Sequence, residues 1–265
     1  MKEEKKDQNR SEIPRRTFLK TSAIGAGAMI SSSRLAAAGI IGANDRIRLG
    51  AIGVGGRSRG SITPIHKKQP DTEIVALCDV YEPNLQRAVS ELASGSTKQF
   101  RDYRAVLDDK SIDAVIIGTP DHWHAKMVTD AVSAGKDVYV EKPVTHSLEE
   151  GEALVKAVEE SKRIVQTGTQ QRSWPHFIEG KRIVDEGTLG QVTSVRMWWY
   201  QNYAGNGYPT ELELGRLDQK AWLGNAPAQT ITPVKFHWWR WYWDFGGGAL
   251  TDLMTHWIDV AHWYL

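Results

Sequence analysis

A doubly wound parallel α/β sheet is the fold class predicted for the larger part of this 265-residue chain, and three features predict it. Short apolar runs alternate with helical stretches from Arg46 to Gln166. A glycine-rich turn, Gly53-Val54-Gly55-Gly56-Arg57-Ser58-Arg59-Gly60, follows the first apolar run directly. Glu141-Lys142-Pro143 follows another, Val138-Tyr139-Val140. Alternating strand and helix patterns give parallel sheets with helices on their faces. Such sheets bind ligands outside the carboxyl ends of their strands, so Lys142 is carried to the ligand edge.

The elements follow in order. Arg46 to Ile52 is a short apolar strand that runs into the glycine turn, and a helix is expected from about Arg57. Gly53 permits a tight turn and Gly55 a close approach of backbone to a pyrophosphate, whose charge is favoured at a helix amino terminus. The third glycine of the strict pattern is replaced by Ser58, still small enough for helix and strand to pack closely. A second strand, Glu73 to Cys78, ends at Asp79, where a carboxylate accepts hydrogen bonds from a ribose diol and repels a 2′-phosphate. Val80 and Tyr81 come next, with no arginine or lysine beside them in sequence, so NAD is favoured over NADP. The competing reading of Asp79 is a plain cap for the helix that starts near Pro83.

Further along, Pro83 to Leu92 is helical, Lys98 to Tyr103 is followed by a short helix around Val106, and Asp113 to Ile117 is a strand. Pro120 cannot continue that strand, and Asp121 suits a helix N-cap. Lys136 to Val140 is the next strand; Ser147 with Glu150 reads as a capping box; Arg163 to Gln166 is a sixth strand.

Beyond Gly168 the texture shifts. Trp174 to Asp185 is expected to be helical and Gln191 to Gln201 a long strand, followed by a tryptophan-rich loop region up to Gly248. A helix is expected from about Ala249, and the chain stops inside it at Leu265. The reading is a truncated chain, with residues 39–168 as the dinucleotide-binding domain and 169–265 as the start of an incomplete α+β, mostly antiparallel, substrate-binding and oligomerisation domain. On the last helix Asp252, His256 and Asp259 share a face at i, i+4 and i+7. An aspartate one turn from a histidine can orient the imidazole for general acid/base work. Two alternatives stand beside it: a structural His256, and a metal-dependent hydrolase using Asp252, His256, Asp259 or His262.

Residues 1–38 are of a different kind. Arg15-Arg16-Thr17-Phe18-Leu19-Lys20 precedes a short apolar stretch of small residues, Thr21 to Ile30, and then Ala36-Ala37-Ala38. This is the order of a twin-arginine export signal, with the twin-arginine machinery as partner and a periplasmic destination. The apolar stretch is too short to span a membrane stably, so no span is expected after processing. Without those residues the chain carries 25 Lys+Arg and 28 Asp+Glu, a net charge near −3. That balance offers no basic surface for nucleic acid. The single cysteine, Cys78, excludes a disulfide or cysteine-zinc framework within one chain.

The glycine turn, Asp79, Thr119-Pro120-Asp121-His122-Trp123-His124, Ala134-Gly135-Lys136, Glu141-Lys142-Pro143, and Gly247-Gly248 followed by Asp252 and His256 together resemble the Gfo/Idh/MocA family of nicotinamide-dependent oxidoreductases. The resemblance implies an N-terminal Rossmann domain, NAD as cofactor and a sugar or polyol as substrate. It implies Lys142, Asp252 and His256 as catalytic residues, no metal, and a homo-oligomer when full length. It implies cofactor contacts from Gly53, Gly55, Gly56, Arg57, Asp79, Thr119, Pro120, His122, His124, Glu141, Lys142 and Gln170. Family members often have glycine two residues after the aspartate, where this chain has Met254. Trp198, Trp199, Trp238, Trp239, Trp241 and Trp243 offer flat faces suited to sugar rings, and most of them are expected to pack the sheet or an interface. Retention outside the cytoplasm calls for tightly held NAD, recycled by sugar-sugar transhydrogenation or by transient oxidation during epimerisation or glycoside cleavage. A non-catalytic NAD sensor remains the other class.

Overall fold

The strands were expected to be parallel because each apolar run is separated from the next by a helical stretch, and the computed structural model has that arrangement. It describes residues 46–199 and 211–265. The expected export signal and the last two residues of the expected strand 191–201 lie outside the described residues. β1 (Ile47–Ile52), β2 (Thr72–Cys78), β3 (Lys98–Phe100), β4 (Ala114–Ile117), β5 (Asp137–Val140) and β6 (Val165–Thr167) form one parallel sheet in the order β3-β2-β1-β4-β5-β6. The order reverses between β1 and β4, and that switch point opens a crevice at the carboxyl edge.

Period-two alternation covers both faces of the sheet. Ile52, Val115, Ile117, Val138 and Val140 point to one face. There they pack against Met127, Val128, Ala131 and Val132 of α4 (His124–Ser133) and Leu154 of α5 (Leu148–Ser161). Leu49, Ala51, Ile74, Leu77 and Ile116 point to the other, against Ile62 and against Leu85, Ala88 and Leu92 of α2 (Glu82–Leu92). Each fully buried Ile, Leu or Val of this kind stabilises by roughly 1.5–3 kcal/mol, so both layers of helices are needed. The Ser147/Glu150 capping box forms at the start of α5. After the glycine turn a π-helical turn, Ser58–Ile62, leads into α1 (Thr63–Lys67), and α3 (Tyr103–Asp108) follows β3.

Residues 169–199 and 211–265 contribute helices and loops. α6 (Pro175–Asp185), α7 (Gln219–Leu223) and α8 (Pro233–His237) precede two short helices, α9 (Gly248–Asp252) and α10 (Met254–Tyr264). The single helix expected from Ala249 is thus interrupted at Leu253, which places Asp252 on one piece and His256 and Asp259 on the other. The expected long strand does not form over 192–199. A strand holds its shape by hydrogen bonds to a neighbour, and none of the described residues lies beside this segment as a strand. The expected antiparallel sheet is therefore not found among the described residues, where the antiparallel pairing outside the main sheet is the isolated Tyr81–Leu217 bridge. No helix among the described residues is long and apolar enough to cross a membrane.

A third apolar cluster, Tyr81, Leu217, Trp222, Ile231 and Phe245, fastens residues 212–245 across the carboxyl edge of the sheet. Polar clips reinforce it. Asp218 N donates to the Val80 carbonyl (3.0 Å), Trp123 Nε1 donates to the Trp222 carbonyl (2.9 Å), and Arg101 Nη2 donates to the carbonyls of Val80 (2.7 Å) and Arg216 (3.2 Å).

Candidate active site

Beneath this covering segment lies a cleft of about 800 Å³. Its floor is the carboxyl edge: Gly53, Gly55, Gly56 and Arg57 after β1, Asp79 after β2, Thr119, Pro120 and Asp121 after β4, and Glu141 and Lys142 after β5. Its outer wall comes from Asp218 to Asn225 and Phe236 to Arg240.

At the β1 end the glycines have the conformation the turn chemistry requires. Gly53 has φ +75°, and its N–H donates to the Cys78 carbonyl (2.8 Å). A Cβ on Gly55 would meet only Asn84 Nδ2 at 3.6 Å, and one on Gly56 would meet nothing within 4 Å. The backbone is therefore open to close approach by a bulky anion, and the residues present fit a dinucleotide pyrophosphate. Asp79 is buried. It accepts from Tyr81 N (2.8 Å) and Asn84 Nδ2 (3.5 Å), and burial pushes its carboxyl up to about 6 against those bonds. The α2 cap position is Tyr81, with no side-chain cap, so Asp79 is not that helix's cap residue.

Lys142 anchors the opposite end. Its Nζ donates to the Asp252 carbonyl and to Asp252 Oδ1, both at 2.5 Å, and the pair is about nine-tenths enclosed, with side chains 9% and 11% exposed. Arg240 Nε closes on Asp252 Oδ2 at 3.1 Å. Burial pushes the Asp252 carboxyl up, but Arg240 and Lys142 outweigh it and hold it below the usual carboxylate range. Beside this triad Glu141 is buried against Arg57 (3.4 Å), which joins the β5 end to the glycine turn. His256 is buried nearby. Its Nδ1 has no hydrogen-bond partner, and burial with the Lys142 and Arg57 charges pushes the imidazole down to about 4.

Two family models match this chain: an oxidoreductase family with an NAD-binding Rossmann fold over residues 47–169, and a GFO/IDH/MocA C-terminal domain over residues 177–265. The chain belongs to the GFO/IDH/MocA oxidoreductase family. Among its relatives is an inositol 2-dehydrogenase of Salmonella typhimurium, 27% identical over 191 residues, covering 70% of this chain and 56% of the relative. A scyllo-inositol 2-dehydrogenase (NAD(+)) of Bacillus subtilis is 34% identical over 146 residues, covering 55% of this chain and 42% of that one. The solved structure of apo scyllo-inositol dehydrogenase from Lactobacillus casei superposes with a TM-score of 0.51 at 28% identity, over 55% of this chain and 43% of that one. The chain spans about half the length of the curated relatives it matches.

The GFO/IDH/MocA cleft gathers most of the residues singled out from sequence: Gly53, Gly55, Gly56, Arg57, Asp79, Thr119, Pro120, His124, Glu141 and Lys142 all line it. Asp252 reaches it through Lys142 and Arg240, whereas Gln170 and His256 stand outside its lining. Several expectations are corrected. His122 turns away from the cleft, meets Trp222 edge-on and Phe245 at a tilt, and places Nε2 3.1 Å from the Trp222 carbonyl, the same carbonyl to which its neighbour Trp123 donates (2.9 Å). His124 is enclosed between the carbonyls of Thr119 (2.9 Å) and Pro143 (2.6 Å), so it ties together the ends of β4 and β5. Asp121 is the first residue of a 3-10 turn rather than an N-cap, and its side chain is buried. The absence of basic residues beside Asp79 holds in sequence only: Arg87, Arg101 and Arg104 line the same cleft, brought there by α2 and by the segment after β3.

Asp252 does not serve as a one-turn orienter of His256, since both carboxylate oxygens are taken by cations and the helix breaks between the two residues. Asp259 is likewise committed, in a fork-to-fork pair with Arg172 (2.8 Å). Carboxylates neutralised in this way are poor ligands for a cation, which removes the physical basis of the metal-hydrolase alternative. Arg240 is the member of the Asp252 charge cluster that sequence reasoning missed. It sits in the tryptophan-rich segment 238–243, and its guanidinium lies over Trp239 at 4.2 Å. Of the tryptophans there, Trp243 is exposed while Trp239 packs against the third cluster.

Three histidines that the fold holds uncharged, buried His124 and His256 and half-buried His122, set an acid limit on stability. His122 and His256 are both pushed down to about 4 in the fold, His122 chiefly by burial, while an unfolded chain titrates them near 6.5. A depressed folded value means the unfolded chain binds protons first as pH falls. Their contribution is therefore complete above about 6.5 and is lost on the way down to about 4. The difference in thermal midpoint between wild type and His256→Gln at constant ionic strength, in which the titrations of Asp79 and Asp121 cancel, is expected to be flat above pH 7 and to fall between pH 6.5 and 4. A difference that stays flat down to pH 4 would contradict the assignment.

Proposed function

We propose that this chain is the nicotinamide-binding part of an NAD-dependent dehydrogenase that acts on a secondary hydroxyl of a polyol or sugar, of the kind the inositol dehydrogenases act on. The observation that carries the reading is the Lys142–Asp252–Arg240 triad at the opposite end of the cleft from Gly53 and Asp79. When bound, the nicotinamide supplies the hydride acceptor. The chain's own residues do the rest. Lys142 spends two of its three N–H donors on Asp252, which leaves one for the reacting oxygen. Its positive charge stabilises that oxygen as it loses its proton. Asp252 and Arg240 fix the ammonium in place, so little reorganisation is required. His256, neutral at pH 7 and with Nδ1 unpartnered, stands just behind the cleft lining and is the group proposed to take the proton. A non-catalytic sensor has no use for an enclosed, doubly bonded lysine, which disfavours that alternative.

Two finer points belong to the same proposal. The first is tight retention of NAD(H): the cleft wall from Asp218 to Arg240 is pinned by the third apolar cluster and its clips, so exit of a dinucleotide requires that wall to yield. Retention favours internal recycling, either between two sugars or through transient oxidation within an epimerisation or glycoside cleavage. The second is export through the twin-arginine pathway to the periplasm, supported by residues 15–38, with oligomerisation of the full-length protein. The test is to purify the full-length protein, denature it and assay the supernatant for NAD(H) and NADP(H). Intact protein is then offered scyllo-inositol, myo-inositol and levoglucosan while NADH absorbance is followed. Near-stoichiometric NAD(H) with reduction of the bound cofactor by a polyol is the expected result. Protein that binds neither dinucleotide would sink the reading.

A further inference from the structure

Asp121 has no role in the reaction as described, yet it is placed where one would be required. It follows Thr119-Pro120 at the carboxyl end of β4, lines the cleft, is 1% exposed, and its Oδ2 has no hydrogen-bond partner. The groups facing it come from three other segments and are already paired with one another: Lys142 and Arg240 with Asp252, and Glu141 with Arg57. Burial and the Asp252 charge push the Asp121 carboxyl up to about 8, against Arg240 and Lys142, so it holds its proton at neutral pH. A neutral carboxyl presents one donor and one acceptor side by side, the complement of a primary amide.

The sheet order says which amide. β4 lies between β1, whose glycine turn takes the pyrophosphate, and β5, whose end carries Lys142. A dinucleotide running from Gly53 to Lys142 brings its nicotinamide half past Asp121 before it reaches the reaction centre. We propose that Asp121, buried at the end of β4 with an unpartnered oxygen, recognises the carboxamide of the nicotinamide ring. The assignment rests on the dinucleotide reading given above and adds the residue that sets the orientation of the ring.

Calorimetric titration of the full-length protein, freed of nucleotide, tests it with three probes: NAD⁺, its 3-acetylpyridine analogue, which lacks the amide N–H groups, and ADP-ribose, which lacks the ring. Wild type is expected to prefer NAD⁺ over the analogue by about tenfold, the worth of one well-made hydrogen bond. Asp121→Ala is expected to lose that preference, and Asp121→Asn, which keeps a donor and an acceptor, to retain most of it. As pH rises through about 8 the wild-type preference between NAD⁺ and the analogue is expected to change, because the ionised carboxylate no longer donates to the amide oxygen and accepts only from the N–H groups, while that of Asp121→Asn does not. ADP-ribose is expected to bind all three proteins alike. If Asp121→Ala discriminates between NAD⁺ and the analogue as wild type does, Asp121 faces the substrate or the protein only and the proposal falls. Should Asp121→Ala fail to fold, identical pH profiles for wild type and Asp121→Asn would overturn it equally. If wild type fails to bind ADP-ribose as well, the dinucleotide reading itself is wrong, and this inference goes with it.

Discussion

Lys142→Met is expected to lower turnover by about 10³-fold while leaving NADH binding within a few-fold of wild type. The loss combines the removed charge on the reacting oxygen, worth on the order of 10²–10³ in rate, with poorer proton transfer. Methionine keeps most of the lysine stem, so packing against the β5 end is preserved. Asp252 would not be stranded, since Arg240 Nε remains 3.1 Å from its other oxygen. Fold and cofactor affinity should therefore survive, and the deficit should appear in kcat. Steady-state oxidation of the best polyol found above, with NADH binding read by fluorescence, separates the two. A variant that keeps more than a tenth of wild-type turnover would place the chemistry elsewhere.

Gly53→Ala is expected to be the most damaging conservative change in the cleft. Its φ of +75° lies in the left-handed region, where a Cβ costs about 1–2 kcal/mol. The added carbon would also fall 2.6 Å from Thr119 Cγ2, 2.8 Å from Thr119 N and 2.9 Å from the Gly118 carbonyl carbon. Two of those atoms are backbone at the end of β4, held by the Gly118 N–H bond to the Ile52 carbonyl (2.9 Å), so they cannot step aside without opening the sheet. Overpacking of this kind adds roughly 1–3 kcal/mol. A total near 3 kcal/mol corresponds to a fall in Tm of about 6–12 °C for a domain of this size. Dinucleotide binding should fail with it, because the turn that shapes the pyrophosphate site is the turn being displaced. Melting curves check the first effect and NADH titration at a temperature where the variant is folded checks the second. A Tm within about 2 °C of wild type would mean that the β1–β4 crevice is looser than its contacts imply.

The parts of this molecule legible in the sequence are those governed by neighbours along the chain. The strand ends at Ile52, Cys78, Ile117 and Val140 could be approached from apolar runs punctuated by Gly53, Asp79, Gly118 and Glu141, and the runs ending at Ile52, Cys78 and Ile117 are buried on both faces near their ends. The capping box at Ser147 and Glu150 depends on three-residue spacing alone. Since a doubly wound sheet sends every strand end to one edge, the gathering of Gly53, Asp79, Thr119 and Lys142 around one cleft followed from the pattern as well.

What only the tertiary structure decided is how charges meet across that edge. Asp252 and His256 look like a pair at helical spacing, but a break at Leu253 and two cations from distant segments, Lys142 and Arg240, claim the carboxylate. Arginines 87, 101 and 104 are absent from the sequence around Asp79, yet share its cleft because α2 and the segment after β3 fold over the same edge. His122 and His124, two residues apart, part company: one enters an apolar cluster and the other clips two strand ends. Local pattern determined which residues arrive at the carboxyl edge, because strand and helix periods depend on near neighbours. Which of them pair, lose their charge or turn away depends on Coulombic contact and burial between segments far apart in sequence, and that was decided only when the chain closed on itself.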